Sequence, residues 1–274
     1  MRNTDGMLCT LKSDLFKLKK HKSIWIGLVL MFVLILFAYC AYWLGLSFLT
    51  KAEFPSDLDQ FITQQEFIKL GLSNLTNFSE VCGLTLFVAI IACLFIGKDF
   101  SNGAIRLCVS RGANRVHLYF SKWISLAMLT IAYSVIAIIV CGIFTAIKGY
   151  GETFTAHHFR LLIRCFVLQT LCNLSTMSIV VMLAFLCRSS GSSLGATIGG
   201  AIVISLIAGL ITGLGSLGSD SSWIYFMPLQ QNSVAGLTVN YNAAQLCAVI
   251  IMPIVYGAIA TAIGLISFLK RDIK

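Results

Sequence analysis

Few residues in this chain could carry chemistry, and nucleotide hydrolysis is the first reaction to consider. Gly97-Lys98 looks like the end of a phosphate-binding loop, but Asp99 follows it and no glycine lies five residues before Gly97. The pattern GxxxxGK[ST], whose backbone amides would cradle phosphates, is absent from the rest of the sequence. The sequence therefore predicts that this chain has no ATPase of its own and binds no nucleotide cofactor itself.

Acidic residues and histidines, which carry proton relays and hydrolysis inside membranes, lie outside the long apolar segments. No Asp or Glu falls within these segments, where secondary transporters place such residues. His157-His158 and His117 fall in polar stretches, and a solvated loop is the simpler interpretation of all three. A transporter driven by an ion gradient and an intramembrane hydrolase are both disfavoured.

The ten cysteines are also poor candidates for chemistry. They include no CxxC pair, and most lie within apolar runs. We interpret them as small buried hydrophobic residues, and we expect neither a metal site nor a disulfide framework.

Composition confines the fold class. Hydrophobic residues make up 58% of the 274 residues, and charged residues make up 11%. A soluble domain of this composition would leave large apolar patches in water. We therefore expect an all-α polytopic membrane protein. Its net charge of +9 is segregated into particular loops, which indicates membrane orientation and not nucleic acid binding.

Six apolar segments are long enough to cross a membrane. Their predicted bounds are about 24–49, 81–97, 122–147, 161–187, 193–214 and 246–269. Between the fifth and sixth crossings, Ile224 to Leu229 and Val234 to Val239 are too short to cross. We predict that they form outer or re-entrant segments.

Residues 7–22 precede the first crossing and predict an amphipathic helix at the membrane surface. Leu8, Leu11, Leu15 and Leu18 share one helical face, and lysines occupy much of the remainder. Two roles are consistent with this amphipathic helix, anchoring to anionic lipid and contact with a cytoplasmic partner.

Basic residues predict the orientation. If the N-terminus is cytoplasmic, 15 of the 20 Lys and Arg residues lie on the inner side. The positive-inside rule then places both termini and the segment between the second and third crossings in the cytoplasm.

The fourth crossing begins with polar residues that have two interpretations. Arg160 and Arg164 lie one turn apart, with Gln169 and Asn173 further along the same helix. They could be snorkelling arginines and interhelical hydrogen bonds, or a polar lining near a substrate exit. In the fifth crossing, the four-residue spacing of Gly195 and Gly199 predicts close helix packing.

The segment 98–121 separates the second and third crossings and is the best candidate for a functional site. Ser101-Asn102-Gly103 is a turn and helix-start pattern, and Arg111 begins a second break. Between them we predict a short helix parallel to the membrane, with Asp99 and Arg111 at its water-exposed ends. A docking surface for a soluble partner and a plain cytoplasmic loop are the two interpretations.

This segment, GKDFSNGAIRLCVSRGANRVHLYFSK, resembles the loop after the second span in permease subunits of ABC type-2 exporters. The resemblance is especially to bacterial members with a "D-[FY]-S-x-G-T-I-R … S-R-x-x-[IV]-Y-x-S-K" pattern. Similar subunits serve export or self-protection against antimicrobial peptides, lantibiotics and bacitracin-like compounds, and others move drugs or further cargo. Ala104 replaces the usual Thr, and Gly112 to Asn114 separates Ser110-Arg111 from Arg115. The matching residues are Asp99, Phe100, Ser101, Gly103, Ile105, Arg106, Arg115, Tyr119, Ser121 and Lys122.

The resemblance implies a coupling helix that docks a separate ATPase subunit, which would bind ATP and Mg. It further implies a second permease copy or a related permease, a bacterial cell membrane, and export of a peptide, drug or other amphipathic cargo. A non-transporting scaffold or immunity protein and a membrane enzyme are the alternatives. The docking residues it implies are Asp99, Phe100, Ser101, Gly103, Ile105, Arg106, Arg111 and Arg115.

Overall fold

A computed structural model describes residues 3–20, 22–49, 77–147, 156–215, 231–237 and 243–270. The described residues form ten helices and no strand, which confirms the all-α prediction. The helices are α1 (Asn3–Lys20), α2 (Lys22–Leu49), α3 (Phe78–Val81), α4 (Leu84–Ser101), α5 (Ala104–Ser110), α6 (Arg115–Ile147), α7 (Ala156–Cys187), α8 (Ser190–Gly215), α9 (Gln231–Leu237) and α10 (Ala243–Lys270).

Six of these helices are long and apolar enough to cross a membrane, as the sequence predicts. They are α2, α4, α6, α7, α8 and α10. Helix α4 extends past residue 97 to Ser101, and α6 begins at Arg115 instead of residue 122. The predicted 24-residue segment 98–121 is therefore largely helical, and only residues 102–114 lie between the two long helices.

Helix α7 lies at the centre of the bundle. It packs against α4, α6, α8, α9 and α10. Met177, Val181 and Ala184 on α7 are almost completely buried. In contrast, α2, α8 and α10 expose many large aliphatic side chains, such as Leu206 and Ile254. Exposed apolar surface of this extent belongs in lipid, in agreement with a multi-pass membrane protein.

Several polar side chains of α6 form hydrogen bonds within the bundle. Along α6, Ser125, Thr130 and Ser134 donate hydrogen bonds to carbonyl oxygens four residues earlier, at 2.6–3.0 Å. Trp123 Nε1 donates to Ser178 Oγ on α7 at 2.9 Å. Tyr133 Oη donates to the Ile24 carbonyl on α2 at 2.7 Å. The bonds of Trp123 and Tyr133 join α6 to α7 and α2, whereas those of Ser125, Thr130 and Ser134 satisfy their hydroxyl groups within α6.

Two smaller predicted elements can be located. Helix α1 occupies the position of the predicted amphipathic helix and packs against α6, with Leu18 buried and Lys12 and Lys19 exposed. Helix α9 overlaps the second of the two predicted segments between the fifth and sixth crossings. The first of them, residues 224–229, lies outside the described residues.

Candidate functional site: the short helix between α4 and α6

Helix α5 is held between two glycine turns. Gly103 precedes it with φ 68°, and Gly112 follows it with φ 85°, both in the left-handed region that favours glycine. Asn114 Oδ1 then accepts a hydrogen bond from the Val116 backbone N–H at 3.0 Å, which starts α6. The turns give this seven-residue helix a defined position at one end of the bundle, called here the α5 end.

One face of α5 is buried and the other is open. Ile105 packs into the core, whereas Arg106, Ser110 and Arg111 are exposed. Leu107 is 52% exposed although it is apolar. We call Arg106, Leu107, Ser110 and Arg111 the α5 surface. It combines two cations with one aliphatic side chain, a composition suited to binding an acidic protein surface that has an apolar pocket.

Phe100 lies on the inner side of this region and not on the α5 surface. Its ring contacts Phe185 edge-to-face, with centroids 5.6 Å apart, and Phe268 at 6.5 Å. Tyr119 joins the same group, with its ring centroid 4.8 Å from that of Phe185. This aromatic cluster attaches the end of α4 to α6, α7 and α10. Phe100 and Ile105 therefore support the α5 surface from beneath.

A buried charge cluster lies beside the aromatic cluster. Lys122 Nζ donates to Asp14 Oδ1 at 2.8 Å and forms a second ion pair with Asp99. Ser121 Oγ donates to the other oxygen of Asp14 at 2.7 Å. Lys122 Nζ also lies 4.4 Å from the centroid of the Phe95 ring. The cluster joins three helices: α1 through Asp14, α4 through Asp99, and α6 through Ser121 and Lys122.

The position of Asp99 corrects the expectation that it lies at a water-exposed helix end. Its side chain is 14% exposed and is paired with Lys122, with Lys17 Nζ 3.8 Å away on the outer side. The reason is that α4 continues through Lys98 and Asp99, which turns the carboxylate inward towards α6. Arg111, in contrast, is exposed as expected.

Sequence reasoning missed Asp14. The residue lies on the same face of α1 as Leu11, Leu15 and Leu18, at helical spacing, and only its burial among them reveals its role. A carboxylate within an otherwise apolar helical face was the available indication, because burying such a charge is costly without a partner.

Arg115 and Ser101 donate hydrogen bonds to backbone carbonyl groups at the α5 end. Arg115 Nη1 donates to the Leu269 carbonyl at 3.1 Å, which places the end of α10 beside the start of α6. Ser101 Oγ donates to the Lys98 carbonyl at 3.0 Å. The ends of α1, α4 and α10, together with α5, therefore meet at the α5 end.

A second polar group lies towards the opposite end of the bundle, called here the α3 end. Asn173 Nδ2 donates to Ser79 Oγ at 2.9 Å, and Asn232 Nδ2 donates to Asn173 Oδ1 at 3.0 Å. The backbone N–H of Ser79 donates to Gln169 Oε1 at 3.3 Å. Gln169 and Asn173 are thus buried and join α3, α7 and α9, while Arg164 is half-buried on α7.

Gly195 and Gly199 on α8 are open. A Cβ atom built at either position meets nothing within 4 Å among the described residues. The close helix approach instead involves Gly97 on α4, where a Cβ would lie 2.5 Å from Ser190 Cα. Within the described part of this single chain, α4 and α8 therefore approach closely at Gly97, and helix packing at Gly195 and Gly199 stays a prediction. Among the same residues, no group of three His, Cys, Asp or Glu side chains could hold a metal ion.

Comparison with known proteins adds the family. Residues 10–204, which are 195 of the 274, match the family model described as "ABC-2 family transporter protein". A search of curated proteins gave no match. Proteins of this family are membrane components of ABC transporters and generally work with an ATPase subunit. The six crossing helices fit a membrane component of this kind. By this match, the chain belongs to the ABC-2 family of transporter proteins as a multi-pass permease subunit.

Proposed function

We propose that this permease subunit forms the translocation path of an ATP-driven exporter and that α5 docks a separate ATPase subunit. The ATPase would bind ATP and Mg, and this chain would supply the path. The observation that carries the proposal is the α5 surface, where Arg106, Leu107 and Arg111 are exposed on a helix fixed by Gly103 and Gly112.

The α5 surface has the chemistry of a small docking site. Leu107 provides an apolar anchor, and the two arginines flank it with positive charge. A complementary cleft would bury Leu107 and present carboxylates to the arginines. Ile105 and Phe100 hold the helix from the inner side, so a force on α5 is transmitted to the bundle and not lost in a loose loop.

The buried charge cluster supports this transmission. Asp14, Asp99 and Lys122 tie α1 and the adjoining ends of α4 and α6 together. Because separating these buried charges would leave each without its partner, the three helix ends should move as one unit when the ATPase moves α5.

We propose that the α5 end faces the cytoplasm of a bacterial cell. Both termini would then lie on the cytoplasmic side of the plasma membrane. The excess of basic residues supports this orientation. The meeting of α1 and the end of α10 near α5 agrees with it, because it brings both ends of the described chain to one side.

A second permease copy, identical or related, completes the proposed transporter. The open face of α8 at Gly195 and Gly199 supports close packing of such a copy. We propose an amphipathic cargo, such as an antimicrobial peptide, a drug or a lipid-like molecule, because the helices present mainly apolar side chains.

The test is purification of the intact chain from its native membrane in mild detergent, followed by identification of the bound proteins and an ATP hydrolysis assay. Arg111→Glu should remove the ATPase, whereas Lys19→Glu, an equal charge reversal at an exposed position on α1, should retain it. If both variants retain the ATPase equally, docking at α5 is wrong. If the intact chain retains no ATPase, the scaffold and enzyme alternatives are favoured over the exporter.

A further inference from the structure

We infer that the junction of α1 and α2 binds an anionic phospholipid of the surrounding bilayer. The site consists of three lysines and the apolar face of α2 that follows them. We call it the junction surface, and its residues are Lys19, Lys20, Lys22, Trp25, Ile26 and Val29. It shares no residue with the α5 surface or with the buried charge cluster. The inference goes beyond the proposed export function, because recognition of a lipid by this chain needs no ATPase.

The lysines of the junction surface concentrate positive charge at one place. Lys19 and Lys20 lie in the last turn of α1, Lys22 begins α2, and a single residue separates the two helices. All three lysines are exposed. Asp14 is the one acidic residue between positions 9 and 49 of the sequence, and it is buried in its ion pair with Lys122. The charge of the three lysines is therefore not balanced within this stretch of the chain, and it attracts an external anion.

Along α2, the junction surface changes from charged to apolar. Lys22, Trp25, Ile26 and Val29 follow one another at three- and four-residue spacing and share one face of the helix. Trp25, Ile26 and Val29 are 63–64% exposed. A cation, an indole ring and aliphatic side chains thus occur in the order in which a phospholipid presents its phosphate, its glycerol and its acyl chain. A lipid can contact this whole face, whereas a soluble partner would reach only the lysines.

Contacts with α6 hold both halves of the junction surface. Helix α1 is joined to α6 through the ion pair of Asp14 with Lys122, at 2.8 Å. At the start of α2, Tyr133 Oη on α6 donates a hydrogen bond to the Ile24 carbonyl at 2.7 Å, and the Ile24 side chain is buried. These contacts fix the rotation of both helices, so that the lysines are positioned before a lipid arrives.

The lysines determine which head group is preferred. Lys20 Nζ lies 5.1 Å from the centroid of the Phe16 ring, which keeps this ammonium group beside α1. Ammonium groups bind phosphate oxygens by charge and by hydrogen bonds. Phosphatidylcholine carries a quaternary ammonium group of its own, which the lysines repel, whereas phosphatidylglycerol carries none. The junction surface therefore selects a phospholipid with a net negative head group.

The test uses the intact chain in phosphatidylcholine nanodiscs that contain a trace of one photoreactive phospholipid. Two probes share the same diazirine-bearing acyl chains, and their head groups are those of phosphatidylglycerol and phosphatidylcholine. Mass spectrometry of the cross-linked peptides measures the labelling of residues 22–33. The phosphatidylglycerol probe should label this segment about fivefold more than the phosphatidylcholine probe. The difference should shrink in about 1 M salt, where the Debye length is about 3 Å.

Charge-removing variants test the position of the head group. The combined variant Lys19→Gln, Lys20→Gln, Lys22→Gln should be labelled equally by the two probes. A matched control removes three exposed cations outside the junction surface and should keep the full difference: Arg106→Gln, Arg111→Gln, Lys270→Gln. Because all six side chains are exposed, both variants should fold, and their unfolding in detergent checks this.

Equal labelling of the unmodified chain by the two probes would mean that ordinary lipid surrounds the junction, and would overturn the inference. A preference that survives in the junction variant, or that the control variant also loses, would overturn these three lysines as the site. Loss of a bound ATPase from the junction variant, without any head-group preference in the unmodified chain, would assign the surface to a protein partner instead.

Failure of this inference can be distinguished from failure of the proposed function, because lipid labelling is measured on the permease alone. If the phosphatidylglycerol preference is found but the chain retains no ATPase, the lipid site stands and only the exporter is contradicted. If an ATPase is retained but the two probes label equally, the docking proposal stands and the lipid site is wrong.

Discussion

Lys122→Met should test whether the buried charge cluster holds α1 to the bundle. The substitution keeps a side chain of similar length and removes the one cation that pairs with both Asp14 and Asp99. Two carboxylates would then remain in a site where their side chains are 7% and 14% exposed. Solvent reaches them too poorly to replace the ammonium group.

Breaking a buried ion pair by removing one partner typically costs about 3–5 kcal/mol. Lys17→Met is the matched control, because Lys17 is 47% exposed and its Nζ lies 3.8 Å from Asp99. A surface pair of this kind contributes about 1 kcal/mol or less. The triple variant Asp14→Asn, Asp99→Asn, Lys122→Met removes every charge of the buried pairs and should recover much of the loss.

Unfolding in detergent, followed by tryptophan fluorescence, measures these differences. We expect earlier unfolding for Lys122→Met alone. A variant as stable as Lys17→Met would refute the reasoning that the cluster holds α1 to the bundle.

Three further predictions concern other parts of the fold. Gly97→Ala should cost about 1–3 kcal/mol because the new methyl group meets the Ser190 backbone, whereas Gly195→Ala should change stability by about 1 kcal/mol or less; thermal unfolding in detergent compares them. Asn173→Leu should destabilise by about 1–2 kcal/mol, since its hydrogen-bond partners stay buried without it, and an unchanged melting temperature would contradict this. In membrane vesicles of a variant whose ten native cysteines are replaced by serine, Ser110→Cys should react with an impermeant maleimide only when vesicles are inside-out, and Glu80→Cys only when they are right-side-out; the reverse pattern would invert the proposed orientation.

The six crossing helices could be predicted because each needs only a long apolar segment. Their ends could not be placed as well. The predicted second crossing ends at residue 97, before the charged Lys98, and the predicted third begins at Lys122, yet α4 continues to Ser101 and α6 begins already at Arg115. Lys122 can remain in a buried helix because Asp14, more than 100 positions away in the sequence, neutralises it. Hydropathy along the chain contains no information about such a partner.

The position of the helix between α4 and α6 could be predicted, but the directions of its side chains and of those around it could not. Its glycines and exposed arginines follow from local sequence, and the structure places a helix where one was expected. The inward direction of Phe100 and Asp99 depends on α7, α10 and α1, and the exposure of Leu107 depends on which face of α5 meets the core. These are tertiary properties, so a motif that lists Asp99 and Phe100 together with Arg106 cannot separate residues that support α5 from residues that α5 exposes.

Position-specific photo-crosslinking tests the central claim most directly. A photoreactive amino acid in place of Leu107, on the α5 surface, should give an adduct with an ATPase in native membranes. The same group in place of Leu86, an equally exposed leucine near the opposite end of α4, should give none. An ATPase adduct from Leu107 alone is the predicted result. Absence of that adduct, or equal adducts from both positions, would contradict docking at α5.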